Sequence, residues 1–433
     1  MPLFYFQTCA YIFGMKKLLL VTSIIFMALT AVNAQMVVNC ASGRYDTEVF
    51  SSVNITSNIT YGSNLSSSGL NTQLTMDIYE PAGDTAAMRP LIVWAHGGSF
   101  VTGTKLDPDI VSLCNHFAKR GYVCVSINYR LGIPIPPSQT GATQAVYRAV
   151  QDMKAAIRYM RKDAATTNLY RIDPNFIVAG GSSAGAFMSL HLAYLDEVSE
   201  IPTSIDTIAL GNLEGNSGNP GYPSSINAVV NLCGAIGNKT WLHATDEPLC
   251  SMHGTNDNTV PYSTATIYLY GVYPLMVVDG SYAINDYANQ IGLSNVMYTY
   301  FGADHVPYLA STAYMDTTVR FVSNFLYQQI GCSPTDPNPL PNTFQSTTGL
   351  YNDLSNQHFS VYPQPATDQL MIASASVVDY TELLDLTGRV LLYEEGTNEK
   401  EVVLHLGGLP AGTYFVRIYT ETGNFVKKVL KGN

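Results

Sequence analysis

Asn175-Phe-Ile-Val-Ala-Gly-Gly-Ser-Ser-Ala-Gly-Ala-Phe187 is the stretch that organises this 433-residue chain. Phe176 to Ala179 is a short apolar run and reads as a buried strand. Gly181-Ser182-Ser183-Ala184-Gly185 follows as a G-x-S-x-G pattern. Apolar residues then recur at Phe187, Met188, Leu190, Leu192 and Ala193, which predicts a helix. Strand, sharp glycine turn and helix together form the context in which this pattern presents a nucleophilic serine. The turn is too tight for a Cβ on either side. Ser183 is expected to stand at the carboxyl end of a sheet, with the helix N-terminus favouring negative charge beside it. An ordinary glycine-rich turn has the same local pattern, so the rest of the chain must decide.

The flanking segments alternate in type. Leu74–Tyr79, Leu91–Ala95, Tyr122–Asn128, Ile226–Leu232, Pro248–Met252 and Asn295–Tyr300 read as strands. Asp109–Arg120, Ala142–Ala164 and Ser311–Gln329 read as helices. This order predicts an α/β fold, with a mostly parallel sheet and helices on both faces. Residues 35–72 are expected to add edge strands and turns. The proline-rich loop Leu131–Gly141 and the Gly/Asn-rich stretch Leu210–Ser225 are expected to shape a pocket. Residues 331–357 are rich in Pro, Asn and Ser and read as a linker. From Phe359 onward, short alternating runs separated by turns predict a small all-β sandwich. The expected division is therefore 1–34, 35–330, 331–357 and 358–433.

Composition narrows the function classes. The chain is 46% hydrophobic and only 13% charged, as a globular protein with a sizeable core would be. A net charge of −11 offers no electrostatic footprint for nucleic acid. Met15-Lys16-Lys17, the apolar run Leu18–Ala31 and the exit Val32-Asn33-Ala34 form a signal-peptide pattern, with cleavage expected after Ala34. Residues 1–14 read as an upstream extension before a start at Met15. Six cysteines follow the cleavage point. An even number permits disulfides in an exported chain, but Cys124, Cys233 and Cys250 sit in apolar runs that suit buried thiols. One or two bridges are expected. No C-x-x-C pair occurs, and neither a metal nor a cofactor is expected.

An activated serine needs a base, an orienting acid and donors for the developing oxyanion. In this type of sheet the chain order is serine, acid, histidine. His305 follows the last strand, in Phe301-Gly-Ala-Asp-His305-Val-Pro, and is the predicted base. Its neighbour Asp304 is badly placed to orient it, because adjacent loop side chains diverge. Asp257, in Ser251-Met-His253-Gly254-Thr-Asn-Asp257-Asn-Thr-Val260-Pro261, follows the penultimate strand and is the predicted acid. Asp246 and Asp279 are weaker alternatives, and an Asx-turn role competes at Asp257 itself. His253 is expected to brace the loop and His191 to be structural. The backbone N–H of Ala184 and of Gly98 and Ser99, in the glycine-rich loop His96-Gly97-Gly98-Ser99, are the predicted oxyanion donors.

These pieces resemble the α/β-hydrolase superfamily, in its secreted carboxylesterase and feruloyl-esterase-like branch. The likeness rests on His96-Gly-Gly-Ser-Phe100, Asn128-Tyr-Arg130, Gly181-Ser-Ser-Ala-Gly185, His253-Gly-Thr-Asn-Asp257-Asn-Thr-Val-Pro261 and Asp304-His305, over about residues 70–330. It implies Ser183, Asp257 and His305 as a triad, with Gly98, Ser99 and Ala184 around the oxyanion. Ser99 stands where relatives of the hormone-sensitive-lipase type carry a third glycine. The tail resembles the type-A C-terminal sorting domain of the type IX secretion system, through Val361-Tyr-Pro-Gln-Pro-Ala-Thr, Leu386-Thr-Gly-Arg389, Leu409-Pro-Ala-Gly-Thr-Tyr-Phe415 and Lys427-Lys-Val-Leu-Lys431. Gln364 replaces the usual asparagine. This second likeness implies passage through the periplasm of a Bacteroidetes-type Gram-negative cell, delivery to the surface or medium, and the secretion machinery as a partner.

The expectation is an exported serine esterase acting on small-molecule or polysaccharide-linked esters, such as acetyl or feruloyl esters. Two other readings share these residues. A prolyl-oligopeptidase-like peptidase has the same order of residues, but segment 35–72 is too short for that family's propeller. A non-catalytic adhesion protein on an esterase fold would not need an intact Ser-Asp-His set.

Overall fold

Leu91 to Ala95 shows how the sheet is built. Leu91, Val93 and Ala95 point into one apolar core, and Ile92 and Trp94 into another. A strand buried on both faces reads as a continuous apolar run, the mark of a central parallel strand. The computed structural model describes residues 38–335, 340, 342–343, 359–374, 377–385, 389–396, 400–420 and 423–432. The expected signal peptide 1–34, the start at Met15 and the Leu386-Thr-Gly portion of the tail motif lie outside them.

In chain order the strands of the first unit are β1 (Val53–Leu65), β2 (Asn71–Pro81), β3 (Arg89–Ala95), β4 (Val123–Ile127), β5 (Ile172–Ser182), β6 (Ala228–Leu232), β7 (Ala235–Ile236), β8 (Leu249–Gly254), β9 (Thr264–Leu269), β10 (Tyr273–Gly280) and β11 (Asn295–Tyr300). Eight of them form one sheet in the order β1-β2-β4-β3-β5-β6-β8-β11. From β4 to β11 every pairing in that sheet is parallel, and β1 and β2 are antiparallel at one end. The principal helices are α1 (Pro108–Lys119), α2 (Gln139–Ala165), α3 (Ala184–Tyr194), α4 (Ser281–Ile291) and α5 (Thr312–Gln329). α1 and α5 pack through Leu113, Phe117, Val322 and Phe325 on one face. α2, α3 and α4 pack through Ala149, Met153, Leu190 and Ile284 on the other. The expected α/β-hydrolase architecture is therefore present.

Two elements went unforeseen. β9 and β10 form a hairpin that pairs with β7 in a separate three-stranded sheet, and α4 follows it directly. The loops at the carboxyl ends of β6, β8 and β11 lie side by side because these strands are adjacent in the sheet.

The chain divides at Gln345/Ser346 into two compact units. This division falls inside the stretch read as a linker, whose first residues are tied to the first unit. Cys332 is disulfide-bonded to Cys40, and the Thr335 amide donates to Asp46. Thr343 and Asn342 satisfy backbone groups of edge strand β11 at Met297 and Thr299. Among the described residues Cys114, Cys124, Cys233 and Cys250 are free and buried.

The second unit holds a three-stranded sheet, β12 (Phe359–Tyr362), β13 (Gln369–Ser374) and β16 (Glu401–His405), and a four-stranded one. The latter has the order β15 (Val390–Glu395), β14 (Val378–Leu384), β17 (Gly412–Thr420), β18 (Gly423–Lys431). Its core includes Leu370, Ile372, Leu383, Val416 and Ile418. Gln364 keeps its place by accepting from the Leu430 amide at 3.0 Å and donating to the Lys428 carbonyl.

Candidate active site

β5 ends against α3, and Ser183 occupies the turn between them with φ +54° and ψ −117°. A non-glycine residue there is strained, and the strain is held by its surroundings. The Ser183 amide donates to the Leu232 carbonyl at the end of β6. Gly185 is required, because a Cβ at that position would stand 2.0 Å from the Ala95 carbonyl oxygen. The hydroxyl of Ser183 therefore sits above the sheet, at the first turn of α3, where the helix dipole favours an anion.

The loop after β11 brings His305 over this turn, with Nε2 2.9 Å from Ser183 Oγ. The loop after β8 brings Asp257 behind the ring, with Oδ2 2.6 Å from His305 Nδ1. A carboxylate only accepts, so Nδ1 carries the hydrogen and Nε2 is free to accept from the serine hydroxyl. Asp257 Oδ1 accepts from the amides of Thr259 and Val260 at 2.9 and 2.8 Å. Burial would raise its pKa, but hydrogen bonds from His253 and His305 outweigh this and hold the carboxyl well below its ordinary range. It stays ionised wherever the protein is folded near neutrality. Asp257 has the Asx-turn contacts as well, since Oδ1 caps the loop while Oδ2 faces His305.

The glycine-rich loop lies on the other side of Ser183. Gly98, Ser99 and Phe100 have φ of +104°, +54° and +61° in succession. Among the described residues, the amides of Gly98, Ser99 and Ala184 have no hydrogen-bond acceptor. Tyr129 braces this loop: its hydroxyl donates to the His96 carbonyl at 2.9 Å and its ring stacks on His96 at 4.3 Å. Asn128 Oδ1 accepts from the Lys105 amide, and Arg130 is paired with buried Asp152. Within the Asn128-Tyr-Arg130 motif, Tyr129 is thus the residue that supports the glycine-rich loop.

Residues 76–243 match the BD-FAE family model, and residues 360–432 match that of the secretion system C-terminal sorting domain. The chain thus has an α/β-hydrolase fold, followed by a stretch similar to secretion-type sorting domains. Its curated relatives include mouse carboxylesterase 3B, 34% identical over 116 residues, which are 27% of this chain and 19% of the relative. Phenmedipham hydrolase of Pseudarthrobacter oxydans is 34% identical over 121 residues, 28% of this chain and 23% of the relative. The chain thus spans about a fifth of the length of these relatives. Among solved structures, Thermogutta terrifontis esterase 2 phosphorylated by paraoxon is 22% identical, with a TM-score of 0.45 over 64% of this chain and 95% of its own. A truncated carbohydrate esterase from gut microbiota is also 22% identical, with a TM-score of 0.44 over 66% and 98%.

In this α/β-hydrolase the serine opens onto a cavity of about 440 Å³. Its walls are mostly apolar and include Phe100, Val146, Phe187, Trp241, Leu275 and Met276. The β9–β10 hairpin supplies one wall that sequence reading missed. Ile133 and Gln139 from the proline-rich loop do line it, as expected. The Leu210–Ser225 stretch does not. Its carbonyls accept from Gln151 and Arg158, so it buttresses the far side of α2. His191 lines the cavity as a structural group: Nδ1 donates to the Phe187 carbonyl and Nε2 accepts from the Gly237 amide. Burial pushes its pKa down to about 4, so it is neutral. Asp246 and Asp279 cap other loops, accepting from the amides of His243 and Lys239. Asp304 accepts from the amides of Asn258 and His305, joining the two loops without touching the His305 ring.

Proposed function

We propose that the first unit is a serine carboxylic-ester hydrolase. The observation that carries this reading is the Oγ–Nε2 and Nδ1–Oδ2 relay, at 2.9 and 2.6 Å, placed at the mouth of an apolar cavity. The carboxylesterase relatives support it over their short matched segments.

In this reading Ser183 Oγ attacks the ester carbonyl while His305 Nε2 takes its proton. Asp257 stabilises the resulting imidazolium and holds its tautomer. The carbonyl oxygen becomes an oxyanion facing the amides of Ala184, Gly98 and Ser99. His305 returns the proton to the departing alcohol, leaving an acyl-serine. Water, deprotonated by the same imidazole, then attacks the acyl group and regenerates Ser183. No metal or cofactor enters these steps.

At about 440 Å³ the cavity lies in the range that accepts drug-sized ligands, so it has room for a feruloyl ester as well as for an acetyl ester of a larger alcohol. The sorting-domain match supports delivery to the cell surface or medium, and the Cys40–Cys332 bridge is consistent with an oxidising compartment. Ser183→Ala tests the reading directly. It should abolish hydrolysis of aryl acetate, butyrate and feruloyl esters alike, with unchanged circular dichroism. Retention of wild-type rates would refute the assignment.

A further inference from the structure

His253 was expected only to brace its loop, yet it meets the oxygen that His305 uses. Its side chain is 0% exposed, near the end of β8. Nε2 is 3.0 Å from Asp257 Oδ2 and 3.2 Å from the Val260 carbonyl. Both are obligate acceptors, so Nε2 must carry a hydrogen whichever charge the ring bears. Nδ1 is 2.7 Å from Ser281 Oγ, the first residue of α4. That hydroxyl receives from Asn231 Nδ2 at 2.9 Å and can turn towards the Gly234 carbonyl at 3.2 Å. The ring is also held edge-on by Tyr262, at 5.7 Å and 88°.

We infer that His253 is a positioning residue for the proposed esterase reaction, fixing the Asp257 carboxylate and tuning the basicity of His305 through the oxygen they share. Asp257 then has all its acceptor positions filled: two amides on Oδ1 and two imidazoles on Oδ2. It cannot rotate away from His305. The N–H of His253 also draws negative charge from Oδ2, so less is left to stabilise the His305 imidazolium. The base is thereby kept from becoming too strong to release its proton to the leaving alcohol. The inference rests on the esterase reading and concerns its relay.

Other ionisable groups around the pair come from several elements. Cys233, after β6, lies close enough for its sulfur, the Asp257 carboxylate and a His305 nitrogen to sit within 4.8 Å of one another. Burial pushes its thiol up to about 12, so it remains protonated. Tyr308 is pushed well above its ordinary range by burial and stays neutral too. Asp304, on the surface, is held below its ordinary value by two backbone amides and stays charged. Tyr262 faces the His253 ring. Cys233, Tyr308 and Asp304 therefore keep a fixed charge between about pH 5 and 8.

The test compares His253→Gln, which keeps an N–H donor near the same point, with His253→Leu, which removes it. Hydrolysis of an aryl butyrate is followed against pH. His253→Leu should lower kcat by roughly ten- to a hundredfold with KM little changed. It should also move the acid limb of kcat/KM to higher pH, while His253→Gln stays near wild type in both. A role in packing alone would leave the acid limb in place for both variants, and that result overturns the inference. If His253→Leu does not fold, ¹⁵N-histidine spectra of the wild type decide instead. They should show a protonated His253 Nε2 throughout the range, and an unprotonated Nε2 overturns the inference. An inactive wild type that a fluorophosphonate does not label would instead contradict the esterase reading.

Discussion

At the scale of single residues, Ser183 depends on neighbours that have no freedom to change shape. Gly98 is the sharpest case. It sits at φ +104°, and a Cβ there would lie 2.1 Å from the Thr102 carbonyl oxygen. Gly98→Ala must therefore move the loop and its amides. If these bind the oxyanion, kcat on an aryl ester should fall by roughly 10²- to 10³-fold with KM within a few-fold. Steady-state kinetics beside a thermal melt would check this, and full activity in a folded variant would remove Gly98 and Ser99 from the oxyanion site. The residues Ser183, Asp257 and His305 were legible in sequence because each lies just beyond a strand's carboxyl end, in the order this fold uses. The contact of His253 with Asp257 was not legible. Four residues of separation say nothing about which carboxylate oxygen an imidazole meets, and its other partner, Ser281, is 28 positions away.

At the scale of elements, the central strands and long helices were readable because their apolar periods are clean. The β9–β10 hairpin was not. Ile267, Leu269, Leu275, Met276 and Val278 line the cavity, Tyr268 and Val277 line it while also being exposed, and Tyr270, Val272 and Tyr273 are exposed. Both faces are apolar, so no alternation marks the strands. The Leu210–Ser225 loop shows the opposite error. Its composition suggested a pocket rim, but loop destinations are set by tertiary contacts, here the buried polar face of α2. The hairpin's position gives it control over the size of the acyl or alcohol group accepted. Met276→Trp should narrow the cavity. We predict that kcat/KM for an aryl octanoate falls roughly tenfold or more while that for the acetate stays within a few-fold. Equal effects on both esters would show that this wall does not contact the substrate.

At the scale of the whole molecule, the chain joins an α/β-hydrolase unit to a sorting domain. The Cys40–Cys332 bridge ties together positions 292 residues apart. The chain-entropy estimate for closing so long a loop is about 6 kcal/mol, a substantial part of a typical domain's stability. Thr335 on Asp46, and Thr343 on β11, continue the same fastening. The central claim nonetheless turns on one oxygen atom. The most direct measurement is to treat the full chain with a fluorophosphonate and map the adduct by peptide mass spectrometry. The account predicts one stoichiometric adduct, on Ser183, formed faster as His305 loses its proton and absent in His305→Ala at matched exposure. Adduct on another residue, or none on a folded protein, would contradict it.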